Sequence, residues 1–206
     1  ENLSNENKEV LITKTVEAAK NQAEGNFDEN IDLSNTLAEI ITNSDAETAA
    51  KVLDTLDKTT NENNSKLSLN VVSNLSKQDN YEEKIEIRSV SSTDFEQNFN
   101  KVISKAIENV SSENDLDSVT DIVENSKGTI ADKIIDSANE SQENKKKITE
   151  VIINVVEKNP EKAVEIIEKN KNTKVVAETV KTKIENEEAV TTKDFEEVFD
   201  TNVSPN

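Results

Sequence analysis

Apolar residues recur at the spacing of an α-helix in two consecutive stretches between residues 37 and 56, separated by a short polar segment. Within each stretch the apolar positions fall at i, i+3 and i+4, so they form one stripe along a helix. The first stripe consists of Leu37, Ile40 and Ile41, and the second of Ala49, Val52, Leu53 and Leu56. The pattern therefore predicts two helices joined by a turn, each with one apolar face.

The same pattern returns twice, without a gap, when residues 37–57 are shifted forward by 82 and by 114 positions. Five apolar positions agree in all three stretches, which we name the first, second and third aligned segments. They are Leu37, Ile41, Ala49, Val52 and Leu53 in the first, Val119, Val123, Ala131, Ile134 and Ile135 in the second, and Val151, Val155, Ala163, Ile166 and Ile167 in the third. Internal similarity at fixed offsets is typical of repeat proteins. The sequence therefore predicts a repeated helix–turn–helix unit.

Each predicted turn carries residues that favour the start of a helix. Residues 44–47 (SDAE) match a capping box, in which Ser44 accepts a backbone N–H bond and the glutamate reaches back. Asn159 before Pro160 places a capping side chain ahead of a proline at the first helical position. Residues 126–129 (SKGT) carry a weaker form of the same signal. The capping signals thus fall where the alignment places the turns.

Helical spacing also appears at residues 12–23, 95–106 and 176–184. Residues 78–92 are the exception, because Ile85 and Ile87 alternate with polar residues as they do in a strand. We expect this segment to be an extended connector with at most one short strand. The polar stretch 59–66 is expected to be a loop, and Gly25 is expected to end the first helix in the left-handed conformation.

These patterns predict an all-α protein. A helix pair with one apolar face cannot bury that face alone, whereas stacked pairs bury a continuous core. We therefore expect an irregular helical-repeat array, a short α-solenoid of helix–turn–helix units, with a compact helical bundle as the alternative. The predicted organisation is a first half over residues 1–110, a second half over 111–201, and a tail or linker over 202–206.

Known helical-repeat families add little to this prediction. The signature of tetratricopeptide repeats needs a Trp at a set position, and the chain has no Trp. Residues 44–53 resemble the helical repeats of magnesium-transporter cytoplasmic domains and of flagellar switch proteins. Because the resemblance covers ten of the 206 residues, we take no function from it.

The composition excludes several classes of function. The chain has no His, Cys, Met or Trp, and its single Arg is Arg88. The usual general base and the thiol nucleophile are therefore missing, as are the common ligands of zinc, haem and iron–sulfur centres. We accordingly expect a protein that is not an enzyme and that uses no cofactor. The absence of Met also leads us to expect a processed chain or a segment of a longer protein.

The net charge of −19 limits the partners that the chain can bind. A strongly acidic chain repels nucleic acid and anionic lipid. No apolar run approaches the ~18 residues that a membrane-spanning helix needs. The one basic run, residues 145–147, is expected to be a solvated helix face. We therefore expect a protein partner, either a different protein or a second copy of the chain, without nucleic-acid binding or membrane insertion.

One acidic segment follows the ligand spacing of a calcium-binding EF-hand loop, which places oxygen ligands at set positions among twelve residues. The candidate ligands are Asp28, Asn30, Asp32 and Glu39. The segment departs from the loop pattern, because Leu33 stands where the tight turn needs Gly and Asn35 stands where an apolar residue is expected. A calcium-responsive acidic binding module is therefore the alternative function, and a structural or interaction role without metal is the preferred one.

Four of the five Phe residues lie in two similar motifs, at residues 93–99 and 193–199. Phe95 and Phe99 share one helix face, as do Phe195 and Phe199, because the members of each pair are four residues apart. Most large apolar side chains are buried, so one interpretation is a core stripe that closes each half. If the pairs are exposed instead, they mark a surface for a partner or for self-association.

The sequence thus predicts a non-catalytic helical-repeat module with a structural or protein-interaction role within a larger secreted or surface-associated protein, either as a spacer or scaffold or as a self-assembling unit. An acidic chain without Cys favours an extracellular, cell-surface or periplasmic location, and a cytoplasmic one stays open. The frequent use of Asn, Lys, Ile and Glu is typical of AT-rich bacterial genomes, so we expect a bacterial source.

Overall fold

The computed structural model describes residues 5–25, 32–59, 66–126, 128–169 and 174–195. All regular structure within these ranges is helical, which confirms the predicted all-α class. The α-helices are α1 (Asn5–Ala23), α2 (Leu33–Asn43), α3 (Ala46–Thr59), α4 (Leu67–Ser76), α5 (Tyr81–Ser91), α6 (Thr93–Glu108), α7 (Glu113–Asn125), α8 (Thr129–Asp136), α9 (Gln142–Lys158), α10 (Pro160–Lys169) and α11 (Lys174–Glu185). A short 3-10 turn, Ser137–Asn139, follows α8.

The chain divides into two compact units, unit 1 over Glu1–Asn109 and unit 2 over Val110–Asn206. The division falls one residue before the boundary that we predict between the two halves. The predicted tail at 202–206 lies outside the described residues.

In unit 1 the helix pair α2–α3 packs against a second layer of helices. Helix α2 packs against α4, α3 packs against α6, and α1 packs on both α2 and α3. Helix α5 contacts mainly α6, with smaller contacts to α2 and α4. Near the end of α3, Lys105 Nζ on α6 pairs with Asp57 Oδ1 at 2.6 Å, and both side chains are largely buried. The core of unit 1 therefore lies between the α2–α3 pair and the helices α1, α4 and α6.

In unit 2 the helix pairs α7–α8 and α9–α10 follow each other along the chain. Helix α7 packs against α9 and α8 contacts α10, while α11 packs on α10. The 3-10 turn packs against α9. Each helix of the α7–α8 pair thus faces its counterpart in the α9–α10 pair.

The three aligned segments of the sequence occupy comparable places in these units. Each one is a pair of consecutive helices, namely α2–α3, α7–α8 and α9–α10. All fifteen side chains at the five shared apolar positions are buried, and the most exposed of them, Ile166, is only 5% exposed. The apolar stripes therefore face the core in all three segments, as their spacing predicts.

The turn inside the first aligned segment corrects the predicted capping residue. Helix α3 begins at Ala46, so the capping side chain is Asp45 and not Ser44: Asp45 Oδ1 accepts the Thr48 backbone N–H at 2.8 Å. Ser44 instead ends α2, where its N–H donates to the Ile40 carbonyl at 3.0 Å. Hydrogen bonds from the Thr48 backbone N–H and hydroxyl hold the pKa of the Asp45 carboxyl below its usual value, against the opposing effect of burial.

The turn inside the third aligned segment agrees with the prediction. Helix α10 begins at Pro160, and Asn159 Oδ1 accepts the Lys162 backbone N–H at 3.2 Å. In the second segment the capping acceptor is Ser126, whose buried hydroxyl accepts the N–H of Ala131 at 3.1 Å. All three turns therefore place a side-chain oxygen at the start of the second helix.

The prediction for residues 78–92 is wrong, because most of this segment forms helix α5. Ile85 is fully buried, whereas Ile87 is 60% exposed. Residues two apart lie on nearly opposite sides of a helix, so the alternation that we interpreted as a strand also fits an amphipathic helix. Tyr81 and Ile85 share the buried face at i, i+4, and acidic residues occupy the first turn with Arg88 in the last, which suits the helix dipole.

Two smaller predictions concern the ends of helices. Gly25 follows α1 with φ of 79°, the left-handed conformation that the sequence predicts there. Helix α3 extends to Thr59, so it includes the first residue of the predicted loop at 59–66. Residues 60–65 lie outside the described residues.

Candidate interaction surface

The Phe residues that the sequence singles out lie mainly in the core. Phe95 and Phe99 on α6 are fully buried, and their rings stack with centroids 5.7 Å apart. Phe195 is also buried, at 1% exposure, and Phe199 lies outside the described residues. These placements agree with the core interpretation, because the three described rings offer no exposed aromatic surface to a partner.

The candidate calcium ligands are only partly described. Asp28 and Asn30 lie outside the described residues. Asp32 caps α2, where its Oδ1 accepts the Asn35 backbone N–H at 3.0 Å and its Oδ2 accepts an amide N–H of Asn74 at 3.3 Å. Glu39 is exposed on α2 and accepts from the Asn35 amide at 3.0 Å. Among the described residues no group of three or more acidic, His or Cys side chains could hold a metal ion.

The basic run at 145–147 lies in α9 and differs in exposure from residue to residue. Lys146 is exposed, as predicted for a solvated face. Lys147 pairs with Glu143 at 2.9 Å, and its side chain is only 13% exposed. Lys145, Lys146 and Phe195 line a small pocket of about 230 Å³. The lysines therefore belong in part to the packing of unit 2.

Helix α5 carries an exposed face that the sequence analysis does not identify. Ile87 and Val90, three residues apart, are 60% and 87% exposed. Two exposed carboxylates, Glu83 and Glu86, precede them by four residues each and so lie beside them on the helix. We name these four residues the α5 face. It combines a pair of apolar side chains with negative charge.

Arg88, the single arginine, holds α5 in place. Its Nη2 donates to the Thr42 carbonyl at 2.8 Å and to the Ser44 carbonyl, which are the last acceptors of α2. Burial lowers the pKa of the Arg88 guanidinium, and the Asp45 carboxylate acts in the opposite direction. Arginine stays protonated in proteins, so a positive charge caps the C-terminus of α2. The α5 face is thus presented on a helix anchored by Tyr81, Ile85 and Arg88.

An open groove of about 760 Å³ begins where α5 ends. Its lining consists of Ala46, Glu47, Ala50, Lys51 and Asp54 from α3 together with Ser91, Ser92, Asp94 and Asn98 from the α5–α6 junction. Lys51 pairs with Glu47 at 2.8 Å, and Asn98 donates to the Ala50 carbonyl at 3.2 Å. Three carboxylates and one lysine give the groove a negative balance. Ser91 lines the groove and lies four residues after Ile87, so it is beside Ile87 on the helix and the groove adjoins the α5 face.

Both serine hydroxyls that line the groove form hydrogen bonds with the backbone. Ser92 Oγ accepts the Phe95 backbone N–H at 3.2 Å, and Ser91 Oγ donates to the Arg88 carbonyl at 3.1 Å. The hydroxyls therefore act in helix capping, and the carboxylates supply charge.

The exposed pair at Ile87 and Val90 has a signal in the sequence, but an ambiguous one. Their i, i+3 spacing fits a helix face, yet nothing in the spacing tells whether that face is buried. Tyr81 and Ile85 carry an equally apolar face of the same helix, and that face is the one that packs on the core. Exposure follows from the packing of α5 on α6, which the sequence alone does not reveal.

Comparison with known proteins adds no relative: no protein family, no curated protein and no solved structure matches this chain. Among the described helices, none is long and apolar enough to cross a membrane.

Proposed function

We propose that this chain is a non-catalytic helical-repeat module that binds protein, as part of a larger secreted or surface-associated protein. The observation that carries the proposal is the burial of the same five apolar positions in each of the three aligned segments. Stacked helix pairs of this kind form extended surfaces, and binding protein along them is their usual role. The bound protein is either a different protein or a second copy of the chain.

The chemistry of the chain supports a binding role over a catalytic one. The sequence lacks the side chains that most often act as general base or thiol nucleophile. The groove beside α5 is wide and open, whereas a reaction usually needs a site that excludes water. The apolar pair on α5 offers a partner the kind of surface that interfaces bury.

The proposed location follows from composition. A net charge of −19 keeps a long chain soluble and separate from other acidic surfaces. The absence of Cys leaves the redox compartment open, so the acidic charge alone supports the proposed extracellular or cell-surface location. Cell fractionation with an antibody to the chain tests this part of the proposal, and recovery in the cytoplasmic fraction alone would contradict it.

Chemical cross-linking in material from the natural source tests the binding role. The full chain is cross-linked through its lysines, and the linked peptides are identified by mass spectrometry. We expect links to one recurring protein, or links between two copies, which a mixture of isotope-labelled and unlabelled chain separates from links within one copy. The heat-unfolded chain serves as the control for random collisions. Links confined to single copies of the folded chain would contradict the proposal.

A further inference from the structure

Helix α5 occupies an unusual place in unit 1. Helices α4 and α6 pack on α2 and α3, much as α9 and α10 face α7 and α8 in unit 2. In unit 2 only Asn159 separates α9 from α10, whereas the whole of α5 lies between α4 and α6. Insertions in repeat proteins often lie on the face that binds a partner. The position of α5 therefore makes it a candidate binding element.

Among the described residues of unit 1, four large apolar side chains are exposed, and α5 carries the two most exposed of them. Val90 is 87% and Ile87 60% exposed, while Val10 and Leu11 on α1 are 51% and 56% exposed. A valine this exposed contributes almost no hydrophobic free energy to folding, yet a partner can bury its apolar surface. Because α5 is anchored by Tyr81 and Arg88, the pair is held on a fixed helix.

The exposed charges around this pair are mainly negative, because the two cations of α5 are turned to α2: Lys84 Nζ donates to Asn43 Oδ1 at 2.8 Å, and Arg88 donates to the carbonyls of Thr42 and Ser44. Glu83 and Glu86 lie on the α5 face, and exposed Asp94 follows at the start of α6. In the groove, Lys51 pairs with Glu47 and Asp54 pairs with Lys58 at 2.6 Å, so these charges balance and Asp94 supplies the negative charge of the groove. The surface that surrounds Ile87 and Val90 is therefore negative. Complementary charge on a partner increases the association rate and selects against other partners.

On the basis of the proposed function, we propose that the α5 face and the adjoining groove bind a cationic amphipathic segment of a different protein. Apolar side chains of that segment cover Ile87 and Val90, and its lysines or arginines face Glu83, Glu86 and Asp94. A second copy of the chain is the less suitable occupant, because a chain with a net charge of −19 repels its own acidic surface. Helix-in-groove recognition of this type depends on a few apolar anchors with charges around them.

A peptide titration of the full chain tests this proposal. The probe is a fluorescently labelled helix-forming peptide made of Leu and Lys at amphipathic spacing, and binding is followed by fluorescence anisotropy. A peptide with the same lysines and Ser in place of Leu measures the attraction that charge alone produces. We expect saturable binding of the Leu–Lys peptide at moderate salt, and much weaker binding of the Ser–Lys peptide.

Matched variants locate the binding surface. The double variant I87S/V90S removes the apolar pair, and V10S/L11S removes the similarly exposed pair on α1. We expect I87S/V90S to weaken binding about tenfold or more, which corresponds to about 1.4 kcal/mol, and V10S/L11S to leave it unchanged. E83Q/E86Q should weaken binding and reduce its salt dependence, whereas E6Q/E9Q on α1 should not. Circular dichroism of each variant verifies that the helices are retained.

Three outcomes would overturn the proposal. One is the absence of saturable binding, the second is an equal loss in V10S/L11S and I87S/V90S, and the third is equal binding of the two peptides. None of these outcomes decides whether the chain binds protein at all. The cross-linking experiment tests that proposed function separately, because it does not depend on α5. A recurring cross-linked partner together with a failed titration means that the module binds elsewhere. The absence of cross-linked partners refutes the proposed function itself.

Discussion

Asp45 and Asn159 play the same part at equivalent positions, 114 residues apart in the sequence. Each lies between the two helices of an aligned segment, and each accepts the backbone N–H of the third residue after it. Asp45 binds Thr48 at 2.8 Å, and Asn159 binds Lys162 at 3.2 Å. The two segments therefore share the local mechanism that starts their second helix as well as their buried apolar positions.

Removal of either cap should destabilise the chain by a similar amount. Asp45→Ala and Asn159→Ala should each lower the free energy of unfolding by about 1 kcal/mol, because the first turn of the helix loses an acceptor for one backbone N–H. Urea unfolding measures both losses. Glu178→Ala, at an exposed position on α11, is the control and should leave stability almost unchanged.

The two caps should differ in their dependence on pH. The pKa of Asp45 is lowered in the folded chain, so its contribution is complete above the unfolded value of about 3.9 and disappears as the pH falls through the folded value. The loss in Asp45→Ala should therefore shrink in acid, while the loss in Asn159→Ala stays constant. A constant loss for both variants down to low pH would show that the Asp45 carboxylate is not the cap.

Because the shared apolar positions are buried in every aligned segment, substitutions that leave a cavity there should destabilise each segment to a similar extent. Leu53→Ala in the first aligned segment and Ile167→Ala in the third should each cost about 2–5 kcal/mol, because each deletes part of a fully buried side chain. Val90→Ala should cost less than about 0.5 kcal/mol, since Val90 is exposed. Urea unfolding again provides the measurement. A negligible loss for Ile167→Ala would mean that the third segment does not pack as the first one does.

Arg88 should control the attachment of α5. Arg88→Lys keeps the charge but loses the planar fork that reaches the carbonyls of Thr42 and Ser44, so the substitution should not be conservative. We expect a loss of about 1–2 kcal/mol and faster hydrogen exchange of the α5 amides. Lys101→Ala on α6 is the exposed control. Unchanged exchange in Arg88→Lys would contradict the anchoring role.

A substitution at Asp32 distinguishes a role in helix capping from a role in calcium binding. Asp32→Ala should cost about 1 kcal/mol through loss of the α2 cap. We expect the same loss in EDTA and in millimolar calcium, because both Asp32 oxygens accept hydrogen bonds within the protein. Urea unfolding in the two buffers makes the comparison. A loss that grows in calcium would favour the calcium-responsive alternative, whose ligands Asp28 and Asn30 lie outside the described residues.

The sequence predicts helices best where periodicity and capping agree. For α2–α3 and α9–α10 the apolar stripe and the turn residues point to the same boundaries, within one residue at Asp45. In α5, apolar residues on two sides of the helix give the same alternating pattern as a strand. The packing of α5 on α6 shows that the segment is a helix. The exposure of Ile87 and Val90 could not be predicted for the same reason, because the exposure of a side chain depends on how the helices pack. The buried Phe95 and Phe99 follow the general tendency of large apolar side chains.

Sedimentation velocity of the full chain over a concentration series in EDTA shows whether the chain stays a monomer or assembles through its exposed apolar surface. The apolar stripes are buried within each copy, and we propose that the exposed α5 face binds a basic segment of a different protein. We therefore expect a single species near 22.9 kDa at every concentration. If the sedimenting species grows with concentration and I87S/V90S abolishes that growth, the α5 face binds a second copy of the chain and the proposed binding of a basic partner is wrong.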